Sequence, residues 1–297
     1  MTTTRVAVPR KGRPLETVLD HFAGMAGDGF AHVADDVIST LRYEKAVTKD
    51  RQDADESVYE RLAAYSDTSD PAQPEFSILR DDRAGMPRRV VFDSVTVPLP
   101  DRTVQLVGRE EPFRALRKHE FALGFDSADL VLEEVVGLRE EPLGSIAAVN
   151  DRIDPLDTDV RLVAGLDDTV DHTLLATPDV LDRIDQPLDR SFVRAYEGPF
   201  CISPRYERLV EAVLGTGAIE GVEFTYPANG REEEAAIAET GIGVYLTVTG
   251  STARDHGLVL GERLFPSETV LLENASEVTA ASEAVTELFE PTSPSVV

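Results

Sequence analysis

Short apolar runs alternate along this chain with stretches in which apolar positions recur at helical spacing, the signature of strands alternating with amphipathic helices. "RVAVP" at 5–9 reads as a buried strand. The following "PLETVLDHFAGMAG" places Leu15, Val18, Leu19 and Phe22 on one helical face, with Pro14 in the first turn, where a missing N–H costs nothing. "RRVVFDSVTVPL" and "RTVQLVG" predict a hairpin. "FALGF" at 121–125 predicts a strand, with Asp126-Ser127 as the N-cap of the next helix. "DVRLVAGL" at 159–166 and "RSFVRAY" read as strands, and "ATPDVLDRI" as a short helix opened by Thr177-Pro178. "SPRYERLVEAVLGTG" is a helix burying Leu209, Val210, Val213 and Leu214. "VEFTYP", the acidic helix "GREEEAAIAETG", the strand "GIGVYL" and the strand "ETVLLENAS" at 268–276 follow. The tail holds one further helix and a Pro/Ser end expected to be disordered. Residues 42–88 break the pattern, polar and interrupted by prolines, and read as an inserted surface excursion with one helix around "ESVYERLAAY".

Alternating strands and helices predict an α/β fold with mostly parallel sheets. The strands fall into two groups, giving two expected lobes: residues 1–158 with 256–297, and residues 159–255. Open parallel sheets place ligands beyond the strands' C-terminal ends, so a cleft between lobes is the expected site.

Charge changes the picture. The chain carries 55 Asp+Glu against 29 Lys+Arg, a net charge of −26, and lysine occurs only at Lys11, Lys45, Lys49 and Lys118. Acidic excess with lysine nearly removed resembles the proteins of a salt-accumulating halophile. At molar salt the Debye length is about 3 Å, so self-repulsion is screened while the acidic surface stays hydrated. A basic, aromatic-laced face for nucleic acid is missing. One cysteine, Cys201, excludes a disulfide framework, and nothing in its surroundings suggests a reactive thiol. No apolar run is long enough to span a bilayer and the N-terminus lacks a signal-peptide core, so a cytoplasmic protein without a membrane is expected.

The stretch "TVTGSTARDHGL" (247–258) carries the chemistry. Gly250 allows close backbone approach, and Thr249, Ser251 and Thr252 each offer a hydroxyl. The stretch can open a helix, a pattern suited to cradling phosphate and equally to a plain turn with a capping hydroxyl. Together with "VAVPRKGRPLE", "ALGFDSADLVLEE" (122–134), "RLVAGL", "FVRAYEGPFCISPRYE" and "LLENAS", it forms a collinear series. That series resembles the ATP phosphoribosyltransferase family of histidine biosynthesis, in its short form. The resemblance implies a two-lobed fold like the type II periplasmic binding proteins. It also implies that Thr249, Gly250, Ser251 and Thr252 hold the 5′-phosphate of phosphoribosyl pyrophosphate. Lys11 and Arg13 would meet pyrophosphate or nucleotide phosphates, Mg²⁺ would neutralise the leaving group, and ATP or another base would accept the sugar. No metal ligand is identified. A homo-oligomer or a regulatory partner subunit is expected.

The chain departs from the family pattern where acids serve the sugar. Gly241, Tyr245 and Val248 stand at three acidic positions of the strand before the loop, Ala122 replaces an Asp, and Ser127 replaces a Gly. Asp126 is an added acid, and Glu233 matches a family glutamate; both are candidate substrate contacts. Two functions remain open: a phosphoribosyltransferase, and a catalytically lapsed relative that binds a phosphorylated ligand or regulates a partner.

Overall fold

The computed structural model describes residues 3–67, 69, 70, 72–80, 88–184, 186–228 and 231–289. The protein is α/β and divides into two compact units. Unit 1 comprises Met1–Asp126, Asp159–Leu166 and Thr269–Val297; unit 2 comprises Ser127–Thr158 and Asp167–Glu268.

In chain order the elements are β1 (Thr3–Pro9), α1 (Arg13–Ala26), α2 (Asp28–Thr48), α3 (Val58–Tyr65), β2 (Glu75–Arg80), β3 (Arg88–Pro98), β4 (Thr103–Arg109), α4 (Pro112–Arg117), β5 (Leu123–Ser127) and α5 (Ala128–Glu134). These are followed by β6 (Val160–Gly165), β7 (Val170–Ala176), α6 (Pro178–Leu181), α7 (Arg190–Ala195), β8 (Gly198–Cys201), α8 (Glu207–Leu214), β9 (Val222–Thr225), α9 (Glu233–Thr240), β10 (Ile242–Thr247), α10 (Ser251–Asp255), β11 (Val259–Ser267), β12 (Thr269–Asn274) and α11 (Ala280–Thr286).

Unit 1 is built on a seven-stranded sheet in the order β2-β3-β4-β1-β5-β12-β6. Its core takes Val6 and Val8 of β1, the predicted face Leu15, Val18, Leu19 and Phe22 of α1, and Phe30, Ala34, Val37, Ile38 and Leu41 of α2. Phe76 of β2 joins the same core and Val58, Leu62 and Tyr65 pack against it, so the region expected as an excursion is partly core. α2 runs on to Thr48, and β2 adds an edge strand antiparallel to β3. The helix expected around "ESVYERLAAY" forms, with Ser57 and Glu60 in a reciprocal capping box. α2 and α3 are joined by a buried ion pair. Arg61 Nε donates to Glu44 Oε1 at 2.6 Å, Arg61 Nη2 donates to Glu44 Oε2 at 2.9 Å, and the Tyr65 hydroxyl donates to Glu44 Oε1 at 2.9 Å. Desolvation of that pair is offset only because every polar atom finds a partner. The Pro/Ser tail from residue 290 lies outside the described residues.

Unit 2 carries a five-stranded sheet in the order β11-β7-β10-β8-β9. Parallel pairing joins β1 to β4 and β5 in the first sheet, and β10 to β8 and β8 to the edge strand β9 in the second. The pairs β2–β3, β3–β4, β6–β12, β7–β10 and β7–β11 are antiparallel. The sheets are therefore mixed rather than mostly parallel, with antiparallel neighbours such as β2–β3 and β7–β10 beside the parallel pairs. The predicted β3–β4 hairpin is present.

The unit boundaries also differ from the expected cuts. Residues 127–158 pack within unit 2, where Leu143 N donates to Ala212 O at 3.0 Å and Arg208 Nη2 to Val136 O at 2.9 Å. β6 belongs to unit 1 because it pairs with β12. β11 joins β7 across register shifts; Gly261, Glu262 and Arg263 interrupt its apolar pattern and hide it from periodicity. "RSFVRAY" is a helix, not a strand. Asp189 Oδ1 accepts from Ser191 N at 2.8 Å and Phe192 N at 3.1 Å, and this cap wins over the β-prone composition.

Candidate functional site

β10 delivers the hydroxyl-rich loop. Ile242, Gly243 and Val244 are buried, and a Cβ on Gly243 would stand 2.1 Å from Cys201 O, so only glycine lets β10 lie against β8 there. Past Thr247 the chain turns through Val248 and Thr249 to Gly250. Gly250 has φ 70° and ψ 17°, and a Cβ there would stand 2.2 Å from Leu260 Cδ2. Ala253 and Leu258 anchor the far side of the turn in a cluster with Leu175, Cys201, Ala236 and Ile237. The anchored turn leaves Thr249, Ser251 and Thr252 exposed to solvent.

Its polar atoms are lightly committed. Thr249 Oγ1 and Ser251 Oγ lie 3.1 Å apart, and Ser251 N donates to Thr249 Oγ1 at 3.4 Å, a long bond. Among the described residues, no protein acceptor takes the Gly250 or Thr252 amide. Arg254, which sequence reading did not single out, donates from Nη1 to Thr249 O at 2.9 Å and so carries a guanidinium beside the loop. Its spacing one turn into α10 was the available signal. Behind the loop, Thr173 Oγ1 and Thr247 Oγ1 are 2.6 Å apart, tying β7 to β10.

The acid-poor strand has a structural reason at one position. Gly241 ends α9 at φ 105°, its N–H donating to Ile237 O at 2.7 Å, and a Cβ would meet Val180 Cγ2 at 2.8 Å. No acid fits that backbone. Val248 is exposed. Tyr245 is half-buried, and its hydroxyl is pushed up to about 12 by burial first, then by Glu233 and Glu234. The structure therefore brings Glu233 to the side of β10 from which the strand's own acids are missing. Burial likewise pushes the Cys201 thiol up, keeping it protonated and unreactive.

The remaining predicted site residues, Asp126, Lys11 and Arg13, lie in unit 1, and Ser127 begins unit 2. Asp126 is buried and accepts from Phe113 N at 2.9 Å, which holds the start of α4; Ser127 caps α5 through Asp129 N at 3.3 Å. Arg13 is the first residue of α1 and Lys11 lies just before it, separated by Gly12 at φ 83°. Lys11 borders a hollow of about 430 Å³ together with Arg42 and Lys45 of α2, Lys49 at its C-cap and Arg89 of β3. Sequence reading missed the α2 cations, although lysine scarcity was a signal for them. Among the described residues no group of three or more His, Cys, Asp or Glu is arranged to hold a metal ion. Among the described residues no helix is long and apolar enough to cross a membrane.

The family model of halobacterial ATP phosphoribosyltransferase matches residues 1–296. No curated protein matches the chain. Among solved structures, the chain is similar to the ATP phosphoribosyl transferase (HisG:HisZ) complex from Thermotoga maritima. That likeness has 13% identity and a TM-score of 0.43, covering 97% of this chain and 95% of that one. It is also similar to YhfZ from Shigella flexneri, at 8% identity and a TM-score of 0.43, covering 98% and 85%. The reduced regulatory domain of OxyR2 from Vibrio vulnificus aligns at 16% identity and a TM-score of 0.34, covering 63% and 79%.

Proposed function

Because the chain belongs to the halobacterial ATP phosphoribosyltransferase family, we propose that it transfers the phosphoribosyl group of phosphoribosyl pyrophosphate to ATP. The observation that carries this reading is a family match along residues 1–296, within which the hydroxyl-rich turn is intact and exposed. In the proposed reaction the bond from ribose C1 to pyrophosphate breaks, and pyrophosphate leaves with the electron pair. N1 of the adenine supplies the pair for the new C1–N bond.

Thr249, Ser251 and Thr252 hydroxyls and the Gly250 and Thr252 amides hold the 5′-phosphate, with Arg254 adding charge. Oriented donors of this kind need no reorganisation as the reaction proceeds. Lys11 and Arg13 serve the pyrophosphate or nucleotide phosphates. Glu233, set beside Tyr245, supplies a carboxylate toward the ribose hydroxyls where β10 itself has none. Asp126 is committed to α4 through one oxygen and takes no part in this reading. Mg²⁺ comes with the phosphates, and a partner subunit or second copy belongs to the proposal without a residue assigned to it.

The test uses the full chain in molar KCl with Mg²⁺, ATP and phosphoribosyl pyrophosphate, following the nucleotide adduct and pyrophosphate release. Turnover is expected, and the pair Ser251→Ala with Thr252→Val weakens phosphoribosyl pyrophosphate about tenfold for each hydroxyl lost. Binding of phosphoribosyl pyrophosphate without adduct moves the protein to the regulatory reading, which the absence of acids from β10 favours. Neither binding nor turnover removes both.

A further inference from the structure

β10 brings no carboxylate to the hydroxyl-rich loop that it precedes; its neighbour β7 does. β7 runs antiparallel to β10 and starts where β10 ends. Asp171 therefore lies directly opposite Thr247, the last residue of β10 and two before Thr249. Residues opposed in this way send their side chains to one face, with Cβ atoms about 5 Å apart. That face is marked by the Thr173 and Thr247 hydroxyls, which meet at 2.6 Å. Asp171, two residues before Thr173, shares it. The acid is thus set beside the root of the loop, one strand over from the segment that carries it.

Asp171 is lightly held there. Among the described residues neither of its carboxylate oxygens accepts a hydrogen bond, and its close partner is Arg263 Nη1 of β11, 3.2 Å from Oδ2. That arginine side chain is 72% exposed, so the pair is weak and readily exchanged, whereas the Asp171 side chain is only 19% exposed. A sheltered carboxylate with spare acceptor capacity suits neutral hydroxyl donors and disfavours a second anion. A sugar phosphate anchored by its phosphate on residues 249–252 carries such hydroxyls on the ring next to that phosphate. We propose that Asp171 is a specificity-determining residue of this site, accepting from the ring hydroxyls of a ribose 5-phosphate moiety and so favouring ribose over 2-deoxyribose. This deepens the proposed function and rests on its reading of the loop. Glu233 accompanies Tyr245, two residues farther from the loop than Thr247, so the two acids flank different parts of the strand.

Ribose 5-phosphate and 2-deoxyribose 5-phosphate are titrated calorimetrically into the full chain in molar KCl, so that binding is read without turnover. The wild type is expected to take the ribose ligand about tenfold more tightly, the worth of one hydrogen bond to a charged acceptor. Asp171→Ala abolishes that preference without weakening the deoxyribose ligand, which a general loss of structure would weaken too. Arg263→Gln, which removes the counter-charge and keeps the acid, retains the preference. Were Asp171 needed only for its ion pair, the two variants would behave alike, and that result overturns the proposal. No preference in the wild type, or the wild-type preference in Asp171→Ala, overturns it as well while the loop reading stands. If neither ligand binds the wild type, the loop reading itself fails and this inference falls with it.

Discussion

Two turns in this protein solve the same problem differently. In unit 1, β1 passes through Gly12 into α1; in unit 2, β10 passes through Gly250 into α10. Both glycines have positive φ, 83° and 70°. Gly12, with ψ −178°, occupies a region reserved almost wholly for glycine, and its surroundings are open. Gly250 is in the ordinary left-handed region but lies under Leu260. The charges differ too. The first turn carries Lys11 and Arg13 and is backed by the buried Glu44–Arg61 pair of α2 and α3; the second carries hydroxyls and is backed by the Thr173–Thr247 contact. Point charges reach far but are screened in molar salt, whereas hydroxyls and amides act at contact and are hardly screened. The contacts of the second turn therefore depend less on ionic strength than the charges of the first.

The backing is where the difference is largest. Glu44→Gln leaves Arg61 buried without its counter-charge and is expected to cost about 3–5 kcal/mol in salt-dependent denaturant melts. Thr247→Val removes one neutral hydrogen bond and is expected to cost about 1 kcal/mol. Similar losses from both would show that the ion pair is not the stronger support.

The glycines come next. Gly12→Ala is expected to cost about 1–3 kcal/mol from backbone strain alone. Gly250→Ala adds a clash to a left-handed cost of about 1–2 kcal/mol. In a Leu260→Ala background the clash disappears and only the backbone part remains, a coupling visible in a double-mutant cycle. Additive losses at Gly250 and Leu260 would break this account.

The smallest effect is alkaline. Tyr65 in unit 1 and Tyr245 in unit 2 are each pushed up to about 12, burial leading in both; the next cause is the Glu44 hydrogen bond for Tyr65 and the charges of Glu233 and Glu234 for Tyr245. The folded phenols hold their protons more tightly than unfolded ones, so stability falls as pH rises from about 10 toward 12. With no tryptophan, tyrosinate absorbance reports these groups; Tyr196 and Tyr226 are also pushed up, so Tyr65 and Tyr245 are read by difference from their variants. Glu233→Gln should advance only the titration of Tyr245, and Tyr65→Phe should remove that of Tyr65.

Much of this was legible from residues alone. The β1–Lys-Gly-Arg–α1 junction, the buried face of α1, the hairpin of β3 and β4, and the position of the 249–252 turn are all written in local periodicity and in glycine, proline and hydroxyl placement. Asp126 shows the limit: an exposed-looking acid after a strand is instead buried and holds Phe113 N–H, a partner 13 residues away. "RSFVRAY" shows another, since a cap supplied by Asp189 outweighed an alternating pattern.

What the sequence by itself determined is the strand–turn–helix grammar, the acidic charge balance and the residue types at the two glycine turns. These are set by dihedral preference, periodicity and composition, which act within a few residues. Tertiary structure alone decided that residues 127–158 fold with unit 2, that Glu233 lies beside Tyr245, and that Lys11, Lys45, Lys49 and Arg89 border one hollow. Each of those outcomes joins groups far apart in the chain through sheet pairing and helix packing, and such contacts leave no mark on local pattern.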